Sequence, residues 1–181
     1  MIKRLPTAHD ATPARGIVVG MDVVAISGSL DEHSSNTALV EALAAASVET
    51  PIRVWSELGA LPHFRPDADG DAHVQSLRDA ITGADVVLVA TPEYAGGMPG
   101  VLKNALDWLV GTGELYGKSV IVVSAAPSQE RGEHARQWVA DVVRMQGATV
   151  LDSFTVDVRR ADPETLVAGV ATTLDRVRAL A

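Results

Sequence analysis

Residues 23–36 read VVAISGSLDEHSSN, and the fold turns on how this stretch is read. Val23 to Ser27 is a short apolar, β-branched run of the kind a buried strand needs. From about Asn36 to Ala46 the pattern turns helical, with Leu39, Val40 and Leu43 on one stripe. A strand, a small-residue loop and a helix in that order form an anion site: loop N–H groups and the first helical turn aim unpaired donors at one spot, where the helix dipole also favours negative charge. Ser29, Ser34, Ser35 and Asn36 add short side-chain donors that can reach a phosphate without crowding it. Ser, Asp and Asn are equally ordinary helix caps, so this stretch alone leaves capping and phosphate binding both open. The spacing is not G-x-G-x-x-G, and no Lys follows a glycine in the loop, which disfavours a dinucleotide-binding or nucleoside-triphosphatase site.

Outward from this stretch, apolar runs alternate with helical patterns. Strands are expected at Pro51–Trp55, Val86–Ala90, Val120–Ser124 and within Thr149–Val156. Helices are expected at Ala72–Thr82, from Pro99 as first helical residue through Leu109, at Glu133–Gln146, and from Pro163 to about Leu180, with Ser56–Asp71 as a surface loop. Five strands alternating with helices make an α/β fold, a doubly wound five-stranded parallel sheet with helices on both faces and strand order 2-1-3-4-5. In that order the switch point lies between strands one and three, so the loops Gly28–Ser35 and Thr91–Met98 flank one crevice.

The chain has 181 residues, enough for one domain, and a net charge of −8 with its basic residues scattered and not gathered in stripes, which argues against nucleic acid as a partner. It has no cysteine, which excludes disulfides, thiolate catalysis and cysteine-ligated metal, and is compatible with a reducing, cytoplasmic setting. No apolar run approaches the roughly 18 residues of a membrane-spanning helix. Residues 1–20 hold two prolines and no sustained period, and read as a flexible extension preceding a domain at 21–181. The alternative is that Ile17–Val19 adds an edge strand.

The second loop reads TPEYAGGMPGVLKNALDW over Thr91–Trp108. Pro92 stiffens the strand exit, Gly96, Gly97 and Gly100 allow backbone to approach a flat ligand, and Tyr94 supplies a ring face. An ordinary strand-to-helix turn with a surface tyrosine is the plainer reading of the same residues.

The pair SGSL…SSN and PEYAGGMPGVLKNALDW resembles the NADPH-dependent FMN reductase family of the flavodoxin-like fold, over Asp22 to about Val156. That resemblance implies FMN as cofactor and NADPH or NADH as co-substrate. It also implies passage of hydride from nicotinamide to flavin and then to a small-molecule acceptor such as a quinone, azo compound, metal oxyanion or free flavin. It implies Ser29, Ser34, Ser35 and Asn36 at the phosphate, and Pro92, Glu93, Tyr94, Ala95 and Gly96 along the ring, with Ser124–Gly132 closing the other side. No side chain takes a catalytic proton-transfer role, and a homodimer or homotetramer is the implied assembly. Three departures stand out. Asp31, with Glu32 beside it, occupies the position where the family carries a phosphate-pairing arginine; Ala95 stands where asparagine is common; and the third loop lacks a glycine cluster. A flavodoxin-like electron carrier and a cofactor-free binding protein are the competing readings.

Other constellations are empty of chemistry. His9, His33, His63, His73 and His134 lack metal-ligand spacing. Ser27-Gly28-Ser29 has the wrong order for a nucleophile elbow. Arg159 and Arg160 read as a solvated pair, and Trp55, Trp108 and Trp138 as packing or subunit-contact residues.

Overall fold

The computed structural model describes residues 21–47, 50–128 and 130–157, with 175, 176 and 179 near the C-terminus. The strands are β1 (Val23–Ser27), β2 (Ile52–Trp55), β3 (Val86–Ala90), β4 (Ser119–Ala126) and β5 (Thr149–Asp157), and the helices α1 (Ser35–Ala46), α2 (Ala72–Thr82), α3 (Gly100–Trp108) and α4 (Glu133–Met145). The sheet has order β2-β1-β3-β4-β5 with every neighbouring pair parallel, the flavodoxin-like arrangement expected from the alternation of strand and helix. No helix among the described residues is long and apolar enough to cross a membrane.

Because side chains alternate across a strand, the β-branched runs serve two cores at once. Val24, Ile26, Val87, Val89, Val120 and Val122 pack with residues of α2, α3 and α4, while Val23, Ala25, Val86, Leu88, Ile121 and Val123 pack with Leu39, Val40 and Leu43 of α1. All five residues of β3 are buried, as a central parallel strand requires.

The boundaries depart from the sequence expectation in a few places. Pro99 sits one residue before α3 in extended backbone (ψ 141°), and its carbonyl accepts the first helical bond from Lys103 N–H. β4 runs two residues past Ser124 because β5 pairs with it as far as Ala126 opposite Asp157. A short 3₁₀ turn, Leu58–Ala60, interrupts the loop after β2. Residues 1–20, the Ile17–Val19 alternative, Arg159, Arg160 and most of the helix expected from Pro163 lie outside the described residues.

The second half of the long motif proves to be a clamp. Asn104 Oδ1 accepts from Phe64 N–H (2.7 Å) while its Nδ2 donates to Pro62 C=O (2.9 Å). Trp108 Nε1 donates to the same carbonyl (2.9 Å), and the Phe64 ring meets Trp108 edge to face at 5.2 Å. One helix face thus holds the loop after β2, and an apolar residue of similar size at 104 leaves the Phe64 N–H without a partner and the Pro62 carbonyl with the Trp108 indole alone. Asn104→Leu is expected to lower stability by about 1–3 kcal/mol, read as a lower urea midpoint, and an unchanged midpoint would contradict the clamp.

Candidate functional site

The carboxyl ends of β1, β3 and β4 lie side by side, and hydrogen bonds tie the loops that leave them. Gly28 N–H donates to Ala90 C=O (2.7 Å), and a Cβ at Gly28 would come within 2.9 Å of Leu102 Cδ2 and 3.3 Å of Ala90 C=O, so the first loop passes close to both α3 and β3. Ser29 Oγ and Tyr94 Oη share a hydrogen bond of 3.2 Å, which joins the first two loops. Buried Asn36 accepts from Ala125 N–H through Oδ1 (2.9 Å), which joins the start of α1 to the end of β4. Ser124 Oγ donates to Thr91 C=O (2.7 Å) and completes the set. The crevice expected between the first two loops is thus joined by the end of β4, where the third loop begins.

Around the first loop, much of the donor set is turned inward. Ser34 is the N-cap of α1, its side chain accepting from Asn36 N–H (3.3 Å), while Ser35 is the exposed first helical residue. Ser29 Oγ accepts from Asp31 N–H (3.1 Å), and Asp31 Oδ1 accepts from His33 N–H (2.9 Å). Both of the roles left open for this stretch therefore bear on the same atoms. The serines cap and brace the loop, and an anion there would take over donors that side chains now occupy.

The second loop folds into a two-residue hairpin. Tyr94 and Gly97 exchange N–H···O=C bonds of 3.0 and 3.1 Å around Ala95 (φ 50°) and Gly96 (φ 77°). Two positive φ angles mark a type I′ turn, where asparagine or glycine is at ease and an L-alanine costs roughly 1–2 kcal/mol, so Ala95 carries backbone strain at the edge of the site. Tyr94 is about half exposed above this turn, and the Trp138 ring lies against Gly97.

Glu93 has a structural partner that its position in the chain did not disclose. Its Oε2 accepts from His134 N–H (3.1 Å) and so caps α4, whose own N-cap residue is Gly132, without a side chain. Below it, buried Arg136 donates through Nη1 to Thr155 Oγ1 (2.5 Å) and towards Arg131 C=O (3.5 Å). Burial draws this guanidinium below its ordinary pKa, and the carboxylates of Glu133 and Glu93 oppose that shift.

A cavity of about 330 Å³ opens between the loops after β3 and β4, lined by Asn36, Pro92 and Glu93, by Ala125 to Pro127, and by Arg131 and Gly132. Its volume is at the lower end of what small-molecule sites occupy, and its two walls suit a flat ring. Of the expected site residues, Asn36, Pro92 and Glu93 meet here. Ser29 instead lines a separate cavity of about 570 Å³, floored by Val40, Trp55 and Leu58 and rimmed by Asp31, Glu32, Glu41 and Glu57. Hydrogen bonds from His73 and Ser76 hold the Glu57 carboxyl below its usual range, which keeps that rim anionic. Ser34 and Ser35 stand at the helix start outside both linings, as do Tyr94, Ala95 and Gly96 at the hairpin.

Comparison with known proteins agrees with this architecture. Residues 21–162 match the family model described as NADPH-dependent FMN reductase. The chain is 37% identical over 92 residues to a 2-hydroxy-1,4-benzoquinone reductase of Burkholderia sp, covering 50% of each chain. It is 30% identical over 159 residues to a quinone reductase of Pseudomonas putida, covering 84% of this chain and 81% of that one. The first of these alignments spans half the relative's length. Among solved structures, the flavoenzyme NAD(P)H:(acceptor) oxidoreductase FerB from Paracoccus denitrificans superposes with a TM-score of 0.66 at 23% identity over 87% of this chain and 96% of that one, a likeness of fold. On its sheet order, its converging loops and this match across most of its length, the chain belongs to the NADPH-dependent FMN reductase family.

Proposed function

We propose that the protein is an NAD(P)H-dependent oxidoreductase that holds FMN across the three joined loops and serves a small-molecule acceptor. The observation that carries this reading is the cavity between Pro92–Glu93 and Ala125–Pro127, adjoining the start of α1 through Asn36. A planar ring fits the slot, and the hydroxyls of Ser29, Ser34 and Ser35 with the first amides of α1 are a donor set of the right chemistry for a phosphate. When bound, FMN supplies a ring that accepts a hydride from the nicotinamide and returns two electrons to a quinone, azo compound, metal oxyanion or free flavin.

The chain's own residues bind and orient. Ser29, Ser34, Ser35 and Asn36 hold the phosphate end. Asn36 has a further duty, since its Oδ1 is committed to Ala125 N–H and only its Nδ2 donors can turn to a ligand. Pro92, Glu93, Tyr94, Ala95 and Gly96 lie along the ring, with backbone N–H groups positioned by the hairpin and Tyr94 as its flank. Glu93 does not act as a base in this scheme, because its carboxylate holds the start of α4. Assembly into a dimer or tetramer is part of the same reading, supported by the exposed Trp138 and Met145, two turns apart on α4.

A cofactor-free binding protein of the same fold is favoured by one observation only. Asp31 and Glu32 place two carboxylates beside the phosphate position, and Asp31 satisfies a loop amide that an anion would otherwise meet. The two readings separate on mixing the purified protein with FMN and NADPH or NADH. Uptake of flavin with oxidation of the nicotinamide is expected, and absence of uptake at excess FMN would leave the cofactor-free reading standing. Asp31→Arg is expected to tighten FMN roughly ten- to a hundredfold, since a charge-assisted hydrogen bond is worth about 1.5–3 kcal/mol. Equal dissociation constants in a fluorescence titration would mean that residue 31 does not face the phosphate.

A further inference from the structure

Resting on the FMN reading above, we propose that Arg131 is the anion-binding residue of the cavity between the second and third loops, and that it favours the reduced, negatively charged cofactor over the oxidised one. Glu93 and Arg131 are the two charged residues in the lining of that cavity. Glu93 is committed to the first turn of α4, whereas the Arg131 guanidinium makes no hydrogen bond and no ion pair among the described residues. Its backbone, by contrast, is held: Arg131 N–H donates to Ser128 C=O (3.2 Å), and its carbonyl accepts from Arg136 Nη1 (3.5 Å) and Thr155 Oγ1 (3.4 Å). Arg131 stands exposed at the lining of the cavity on a main chain held by these bonds, and its guanidinium has no other partner among the described residues to give up when it turns to an anion there.

The surrounding charge sharpens the choice of ligand. The chain carries a net −8, and the neighbouring cavity is rimmed by Asp31, Glu32, Glu41 and Glu57 with no Lys, Arg or His in its lining. The four rim carboxylates disfavour an anion in the depth of that cavity, whereas Arg131 balances Glu93 in the other and leaves it the better place for added negative charge. A ring that accepts a hydride gains two electrons and one proton, so it carries one more negative charge than before, while the nicotinamide leaves as its cation. The arginine absent from the first loop thus has a counterpart in the third, acting on the ring's charge instead of the phosphate's.

Midpoint potentials of bound FMN in the unsubstituted protein, Arg131→Gln and Arg131→Lys, alongside the dissociation constant for oxidised FMN, decide the matter. Arg131→Gln is expected to weaken retention of reduced relative to oxidised FMN about tenfold, a fall of about 30 mV for a two-electron couple. Arg131→Lys should restore most of that difference, and oxidised FMN should bind all three with similar affinity. Equal potentials in the three proteins would overturn the proposal for Arg131 and leave the FMN reading intact. So would an effect confined to the KM for NADPH, which would place the nicotinamide dinucleotide's phosphates at Arg131. Failure of the unsubstituted protein to take up FMN would overturn both.

Discussion

A buried carboxamide holds the functional end of this molecule together. Asn36 opens α1, yet its side chain reaches across the sheet edge to the backbone of Ala125 at the end of β4, over an interval of 89 residues. Because β1, β3 and β4 are adjacent parallel strands, their loops emerge on one edge regardless of any side chain. Proximity alone does not fix their spacing. Asn36 sets one side of that spacing, the Ser124 hydroxyl on Thr91 C=O sets another, and the Ser29–Tyr94 contact sets the third. An unpaired amide at such a depth costs about 1–3 kcal/mol, so the clasp is as costly to lose as a core methyl or two.

The charged residues near the site divide between structure and ligand. Glu93 and Arg136 hold the loop after β4 from opposite sides, one through the first turn of α4 and the other through Thr155 and the Arg131 carbonyl. Asp31 braces its own turn. On the proposed FMN reading, this leaves the serine hydroxyls and the start of α1 for the phosphate and Arg131 for the ring, so that neutral donors would meet the phosphate and positive charge the ring.

Sheet order and core were legible because buried parallel strands demand long β-branched runs, and VVAIS, VVLVA and VIVVS satisfy that demand without ambiguity. The meeting of the first two loops followed from topology. Much of the rest was not legible, for a common reason: the partner lies far away in sequence and carries no local signature. Asn36 reads as a helix-start donor until Ala125 comes into view, and Glu93 reads as a ring-edge carboxylate until α4 is seen to lack a cap of its own. Gly132 just before a helical pattern was the available hint for that second contact. Asn104 and Trp108 fall within a motif read mainly for its flavin-side residues, yet they face Pro62 and Phe64. The acidic cavity beside the first loop joins β2, α1 and the turn at Leu58, a conjunction that periodicity cannot reveal.

The central claim is that three loops from separate parts of the chain form one site. Backbone amide shifts in a ¹⁵N-labelled sample titrated with FMN test it most directly. The expected result is that the amides of the non-proline residues within 28–37, 93–98 and 124–132 move together along one binding curve. Shifts confined to a single loop, or centred on the acidic cavity near Trp55 and Leu58, would contradict it.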